Sequence, residues 1–355
     1  MSVPPDGPEP LARHARPYCE TSGFQGLEGE MLRLRNTNRD NPETLAYLNW
    51  RYQRAPEAPE PRLFWLLSPQ GDRIGMAAAI FHAYWVSGER IQVAVIGDIS
   101  LDAAWRGRGL GQLLLRYMTA HLDEHFPRHP ALVIPTDSAR RAFAKIGWTT
   151  AAALAPLVYL LDPARYLRPV VRSERLARGV GRALRSCARL LARRHVRPGD
   201  ALSLSAAPEA SFDALVRKTS LQAPVRDSER AALEWRYVRH PHTRFTFATL
   251  RHAGEPRGYL VFEENTTSGT CSVYDLFAGS ASDLRALLAL FILRGLAIPG
   301  LASVRVLLDE RHPCRDQIRR LGFIARAPET VLQVHSRDGS AERLAWRISQ
   351  GDKDT

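Results

Sequence analysis

The chain has 355 residues, 45% of them hydrophobic and 24% charged, with a net charge of +12. That balance excludes a disordered or collagen-like chain, and the length suits two domains of ordinary size. No stretch is long and apolar enough for a spanning helix, and the opening MSVPPDGPEP has neither the basic nor the apolar region of a secretory signal.

Residues 1–17 hold five prolines and read as a flexible leader. Residues 24–56 read as two helices, the second starting at Asn41-Pro42-Glu43, with Asn as cap and Pro in the first turn. Arg62 to Leu67 is a strand. Ile74 to Val86 and Ile91 to Leu101 are β-rich runs joined at Ser87-Gly88-Glu89, which predicts a hairpin. Gln112 to Phe126 carries a helical stripe of Leu113, Leu114, Tyr117 and Leu122. Ala131 to Pro135 is a strand, Ser138 to Ile146 a short helix, and Ala153 to Leu161 a last strand. In residues 163–198, Leu176, Val180, Leu184, Cys187 and Leu191 recur at helical spacing among eleven Arg and a single Glu174, a net +10. The rest of the chain is close to neutral. The four cysteines, Cys19, Cys187, Cys271 and Cys314, stand far apart with no CxxC pair, which argues against a metal site or disulfide framework and fits a reducing cytosol.

The second half repeats the first. Trp50-Arg51-Tyr52-Gln53-Arg54-Ala55-Pro56 matches Trp235-Arg236-Tyr237-Val238-Arg239-His240-Pro241 at five of seven positions. Asp98 in IGDIS lines up with Asp275 in VYDLF, and Ile146-Gly147-Trp148 with Leu321-Gly322-Phe323, in the same order and at similar offsets. The Trp-Arg-Tyr triplets read as packing residues with the Arg in an ion pair. The expected domains are 1–17 as leader, 18–162 as first domain, 163–198 as Arg-rich helical linker, 199–338 as a degenerate second copy and 339–355 as tail.

Between Gly97 and Leu115 a strand ends, glycines fall at 107, 109 and 111, and a helix begins. Small residues let the backbone curl with its N–H groups inward, and the helix N-terminus adds partial positive charge, so the segment forms an anion cradle suited to a pyrophosphate. Arg106 and Arg108 can add charge-assisted bonds. The pattern is neither a Walker loop nor a dinucleotide fingerprint. The second copy has one glycine there and Asp283 at its helix start, which repels a phosphate.

The pattern Arg106-x-x-Gly109-x-Gly111, after a strand and opening a helix, resembles motif A of the GNAT acyltransferase superfamily. The run from Thr136 through Ala139, and from Phe143 to Gly147-Trp148, resembles the element that ends that domain. The resemblance implies an α/β fold with a mixed sheet, in two tandem GNAT-like domains. It implies that Arg106, Gly107, Arg108, Gly109, Leu110 and Gly111 hold the pyrophosphate of acetyl-CoA, used as co-substrate without a metal. The backbone of Ile99, Ser100 and Leu101 would pair with the pantetheine, and the reaction would be direct acyl transfer to an amine. Asp98 is the candidate general base, with His82 and Tyr84 on the preceding strand as further candidates. The family's Tyr general acid is replaced by Phe143 and its Asn by Thr136; Tyr117 and Ser138 are nearby.

The expected function is therefore an acetyl-CoA-dependent N-acetyltransferase acting on a primary amine of a small molecule or sugar precursor. The alternative is a non-catalytic acyl-CoA sensor or scaffold that docks through the basic helix. A third option, aminoacyl transfer from tRNA onto cell-wall precursors, does not need the cradle. For residues 163–198 the plain reading is an interdomain helix with its apolar stripe packed and its Arg face solvated. An anionic membrane surface or an acidic partner ranks next. Nucleic acid ranks last, because only Tyr166 interleaves the arginines. The expected location is the cytoplasm, with peripheral attachment to the inner membrane face as an extension of it.

Overall fold

The structure, a computed structural model, describes residues 15–37, 39–52, 58–167, 173–218, 225–265 and 267–353. In chain order the first half runs β1 (Arg16–Glu20), α1 (Glu28–Asn36), α2 (Leu45–Arg51), β2 (Arg62–Leu67), β3 (Arg73–Val86), β4 (Glu89–Leu101), α3 (Leu110–His125), β5 (Ala131–Val133), α4 (Asp137–Lys145) and β6 (Thr149–Leu160). Then follow α5 (Pro163–Leu167), α6 (Glu174–Arg193), β7 (Asp200–Ser205), α7 (Ser211–Lys218), β8 (Val225–Arg226) and α8 (Arg230–Leu233). The chain continues with β9 (Thr246–His252), β10 (Glu255–Asn265), β11 (Thr270–Ala278), α9 (Ala281–Gly295), β12 (Ser303–Asp309), α10 (Arg315–Arg320), β13 (Ile324–Ala325), β14 (Thr330–His335) and α11 (Gln350–Lys353).

The chain divides into two units, 1–151 with 330–345, and 152–329 with 346–355. These cuts differ from the expected ones at 162 and 338, and the reason is an exchange of final strands. In unit 1 the sheet runs β1-β2-β3-β4-β5-β14. Its last strand comes from the far end of the chain and lies antiparallel to β5, with Gln333 opposite Val133. His335 fixes it there, with its ring stacked on Trp148 and its Nε2 2.9 Å from Asp123 Oδ1 of α3. In unit 2 the part of β6 from residue 152 onward pairs antiparallel with β12, and the order continues β11-β10-β9-β7.

Period-two alternation sorts the core of unit 1. Ala77, Ala79 and Phe81 of β3 meet Leu110, Leu114 and Met118 of α3, while Met76, Ala78 and Ile80 meet Met31, Leu34 and Leu48 of α1 and α2. The β3–β4 hairpin closes through Ser87 and Gly88, both at positive φ, the backbone demanded by a two-residue turn. In unit 2, Leu284, Leu287, Leu288, Phe291 and Ile292 of α9 fill the matching role against Leu260, Phe262 and Val273.

Several expectations change. Residues 1–14 of the expected leader lie outside the described residues, and Arg16 and Pro17 already belong to β1, which pairs with β2. Helix α2 is capped by the Thr44 side chain, which accepts from Tyr47 N–H, and not by Asn41. The basic helix α6 is turned the other way from the plain reading. Ala177, Gly181 and Ala192 are buried, while Leu176, Val180, Leu184, Leu190 and Leu191 are exposed. Gly181 crosses α5 so closely that a Cβ there would strike the backbone and side chain of Ala164. Residues 168–172 of the expected linker are outside the described set.

Candidate active site

In unit 1, β4 and β5 run parallel and pair only at Ala94–Ala131 and Val95–Leu132. Beyond Val95 the described register pairs β4 with β3 alone, as far as Ser100–Met76 and Leu101–Gly75. The β3–β4 register slips between Met76 and Ala78, so Asp98 and Ile99 together face one residue of β3, a β-bulge, and Asp98 takes a φ of +55°. Ile99, Ser100 and Leu101 follow the bulge and lead into the turn before α3. There Gly107 and Gly109 both have φ of +76°, and Gly109 is the N-cap of α3, in the left-handed conformation. No atom stands within 4 Å of where a Cβ would sit on Gly107, Gly109 or Gly111, so this face of the turn is open.

The first turn of α3 has no acidic residue and no side-chain cap. Its first helical bond runs from Leu113 N–H to Gly109 C=O at 3.2 Å, which places the N–H groups of Leu110, Gly111 and Gln112 ahead of the ladder. Arg106 donates from Nε to Leu101 C=O at 3.2 Å, and Arg108 lies over the Trp105 ring. Ile99, Ser100, Leu101, Arg106, Gly107, Arg108, Gly109, Leu110 and Gly111 thus lie along one continuous strand-turn-helix segment.

Unit 2 has the same strand-turn-helix order, with the start of α9 filled by its own side chains. The Ser280 hydroxyl accepts from Asp283 N–H at 3.1 Å and donates to Asp283 Oδ2 at 2.7 Å. Arg197 then pairs with Asp283 at 2.7 Å and with Asp200. The splay between β11 and β12, which pair only up to Val273–Val306, is also occupied. Residues 346–353 enter it: Ser349 bridges to Leu308, Asp309 N–H donates to Ile348 C=O, and Gly351 lies against the Tyr237 hydroxyl and Tyr274 carbonyl, where a Cβ would not fit. A cavity of about 30 Å³, lined by Arg226, Arg236, Asp275, His312, Arg347 and Asp352, is left there, room for a water or two.

Burial, then Arg347 and Arg315, pushes the His312 imidazole down to about 4. Between its usual value of 6.5 and that point the unfolded chain binds a proton that the folded one refuses, so stability falls as pH falls through this window. Asp275 and Asp309, both raised by burial, act in the opposite sense. Denaturant unfolding of wild type and His312→Asn across this window separates the two effects. The variant is expected to lose stability less steeply on acidification; an identical slope would remove His312 from the account.

The expected role of Asp98 as general base is corrected. Its carboxylate is buried and held at both oxygens: Oδ1 pairs with the buried Arg35 guanidinium, while Oδ2 accepts from Arg51 Nε at 3.1 Å and from the Tyr52 hydroxyl at 2.6 Å. With both oxygens in these contacts and its side chain only 2% exposed, the carboxylate is screened from an incoming amine. Burial pushes the Tyr52 hydroxyl up to about 12, so it stays a donor. Gly97 makes room for Arg51, whose guanidinium lies where a Cβ would be. The same cluster recurs in unit 2, where Asp275 Oδ2 is 3.3 Å from both Arg236 Nη1 and the Tyr237 hydroxyl, next to a register slip at Val261–Phe262. The repeated Trp-Arg-Tyr and the repeated Asp are two ends of one buried ion pair that anchors a bulge.

His82 and Tyr84 are both buried on β3, at 8% and 0% exposure. Their partners on β4 are Val93 and Ile91, whereas Gly97 faces Ala78. At a strand rise of roughly 3.3 Å per residue, they lie about 13 and 20 Å along β3 from the bulge, so the structure does not bring them to Ile99–Leu101. Phe143 is fully buried, with its ring 4.7 Å from that of Trp148, a core position. Thr136 and Ser138 hydroxyls sit 3.2 Å apart at the start of α4. Among the described residues, no cluster of three His, Cys, Asp or Glu that could hold a metal ion occurs. No helix among them is long and apolar enough to cross a membrane.

Residues 30–148 match the family of GNAT acetyltransferases. A structure of a probable N-acyltransferase from Enterococcus faecalis is similar with a TM-score of 0.65 and 12% identity, over 91% of this chain and 73% of that one. A tandem GNAT protein from the clavulanic acid biosynthesis pathway is similar with a TM-score of 0.54 and 15% identity, over 91% of this chain and 99% of that one. The fold is that of a tandem GNAT protein. A GCN5-related N-acetyltransferase from Anabaena variabilis is similar too, at a TM-score of 0.64 and 12% identity, over 91% of this chain and 73% of that one. No curated protein matches in sequence. Of the two units, the first has an open turn at the start of α3 and the second fills the matching place at the start of α9 with its own side chains.

Proposed function

We propose that the chain is an acyl-CoA-dependent N-acyltransferase, acetyl being the expected acyl group, that works from unit 1 on a primary amine of a small molecule or sugar precursor. The observation that carries this reading is the contrast between the units: an uncapped helix start with open glycines in one, and Ser280, Asp283 and Arg197 in the same place in the other. In unit 1 the N–H groups of Leu110, Gly111 and Gln112, with Arg106 and Arg108, would hold the pyrophosphate. The β4 edge at Ile99–Leu101 would pair with the pantetheine amides. The amine nitrogen attacks the thioester carbonyl, the C–S bond breaks, and the proton lost by the amine ends on the thiolate by way of water. Positioning supplies the rate enhancement here, since Asp98 is sealed and Phe143 has no proton to give.

One observation favours a second reading, an acyl-CoA sensor or scaffold: neither Asp98 nor Phe143 offers acid or base to the site. Calorimetry with acetyl-CoA, followed by thiol release with a panel of amines, separates the readings. Saturable binding with thiol release is expected. Binding without release from any amine would leave the sensor, and absence of binding would remove both.

A further inference from the structure

Helix α6 presents three faces. Ala177, Gly181 and Ala192 are buried, and Arg185 and Arg189 donate to the Leu296 carbonyl at the end of α9. That anchorage leaves a long apolar stripe outward: Leu176 is 62% exposed, Val180 and Leu184 each 45%, and Leu191 53%, with Cys187 exposed between them. At about 1.5 Å per residue the stripe runs for roughly 22 Å. Arg175, Arg182 and Arg193 are exposed on the flank of the same helix. Its one acidic residue, Glu174, stands at the first turn, 3.8 Å from Arg178.

We propose that α6 is a docking surface for an anionic phospholipid membrane. The leucines have the spacing and exposure to enter the acyl boundary, and the arginines beside them match phosphate headgroups in charge and can reach outward on their aliphatic stems. Two observations select lipid over nucleic acid: α6 holds no aromatic residue for stacking, and a polyanion gives an aliphatic stripe nothing to bury against. Helix α6 was packed by its small residues instead of its large ones, and that choice is what frees the leucines. The inference is independent of acyl transfer.

The test is co-sedimentation of the full chain with vesicles of phosphatidylcholine alone and of phosphatidylcholine mixed with phosphatidylglycerol. Binding to the mixed vesicles at low salt, weakened by added salt and absent with phosphatidylcholine alone, is expected. The triple variant Arg175→Gln, Arg182→Gln, Arg193→Gln is expected to lower partitioning by about 100-fold, roughly five-fold per arginine. The variant Leu184→Ser, Leu191→Ser keeps the charge and is expected to lower binding as well. All five positions are exposed, and a melting temperature equal to wild type checks that each variant folds. No binding to the mixed vesicles at low salt, or binding that neither variant weakens, would overturn the proposal. So would a dimer in sedimentation velocity that the leucine variant dissociates, since the stripe would then belong to a second copy.

Discussion

Gly109→Asp is expected to abolish measurable acetyl-CoA binding while leaving the protein folded. Gly109 is the left-handed N-cap of α3 at a φ of +76°, with open space at its Cβ position. An aspartate there would bring a carboxylate to the unpaired N–H groups of the first turn, the place the Ser280 hydroxyl takes in unit 2. It would cap the helix and occupy the anion position at once. Loss of one or two charge-assisted bonds, at roughly 1.5–3 kcal/mol each, plus repulsion of the pyrophosphate, corresponds to a fall of at least about 100-fold in affinity. Gly109→Ala is the matched control. It carries only the strain of positive φ, about 1–2 kcal/mol, and is expected to bind within roughly ten-fold of wild type. Titration calorimetry on the three proteins reads both numbers. Equal affinity of wild type and Gly109→Asp would place the coenzyme elsewhere.

The second large effect is on stability. Asp98→Ala is expected to cost about 3–5 kcal/mol, because it leaves the Arg35 and Arg51 guanidiniums buried without their shared carboxylate. Arg35 is already held below the usual arginine range by burial and by the charge of Arg51, so removing the anion worsens an unfavourable position. Urea denaturation measures this directly. The enzymatic corollary separates an anchor from a base. Asp98→Asn, assayed well below its melting temperature, is expected to keep the wild-type shape of its pH–rate profile with a lowered amplitude. A lost limb of that profile would return Asp98 to the chemistry.

Much of this was readable from residues. The hairpin at Ser87-Gly88, the helix from Leu110 and the glycine turn before it follow from local rules, since turn type, periodicity and cap position are properties of neighbours in sequence. The duplication was visible as Trp-Arg-Tyr and as Asp98 with Asp275. Their joint meaning was not, because Arg51 and Asp98 meet only when α2 packs on β4, and an aspartate on a strand beside a glycine turn suits catalysis as well as anchorage. The orientation of α6 is not legible for a related reason. A stripe of leucines marks a face but not what covers it, and here Gly181 and Ala164 made a closer fit than the leucines could. The self-filling of unit 2 was half legible: Asp283 announced that phosphate is unwelcome, whereas the entry of residues 346–353 beside β11 and β12 is a long-range event without a local signature.

The exchange of β6 and β14 has a consequence for synthesis on the ribosome. Strand β5 is complete once residue 133 has emerged, yet its antiparallel partner, with Gln333 opposite Val133, is translated about 200 residues later. At roughly 5–20 residues per second, β5 waits about 10–40 s for that partner. During that interval unit 1 carries an unsatisfied sheet edge, the kind of surface that recruits other chains. Unit 1 is therefore completed only after most of unit 2 has been made, and neither repeat excised at its sequence boundaries contains all the strands of a finished unit.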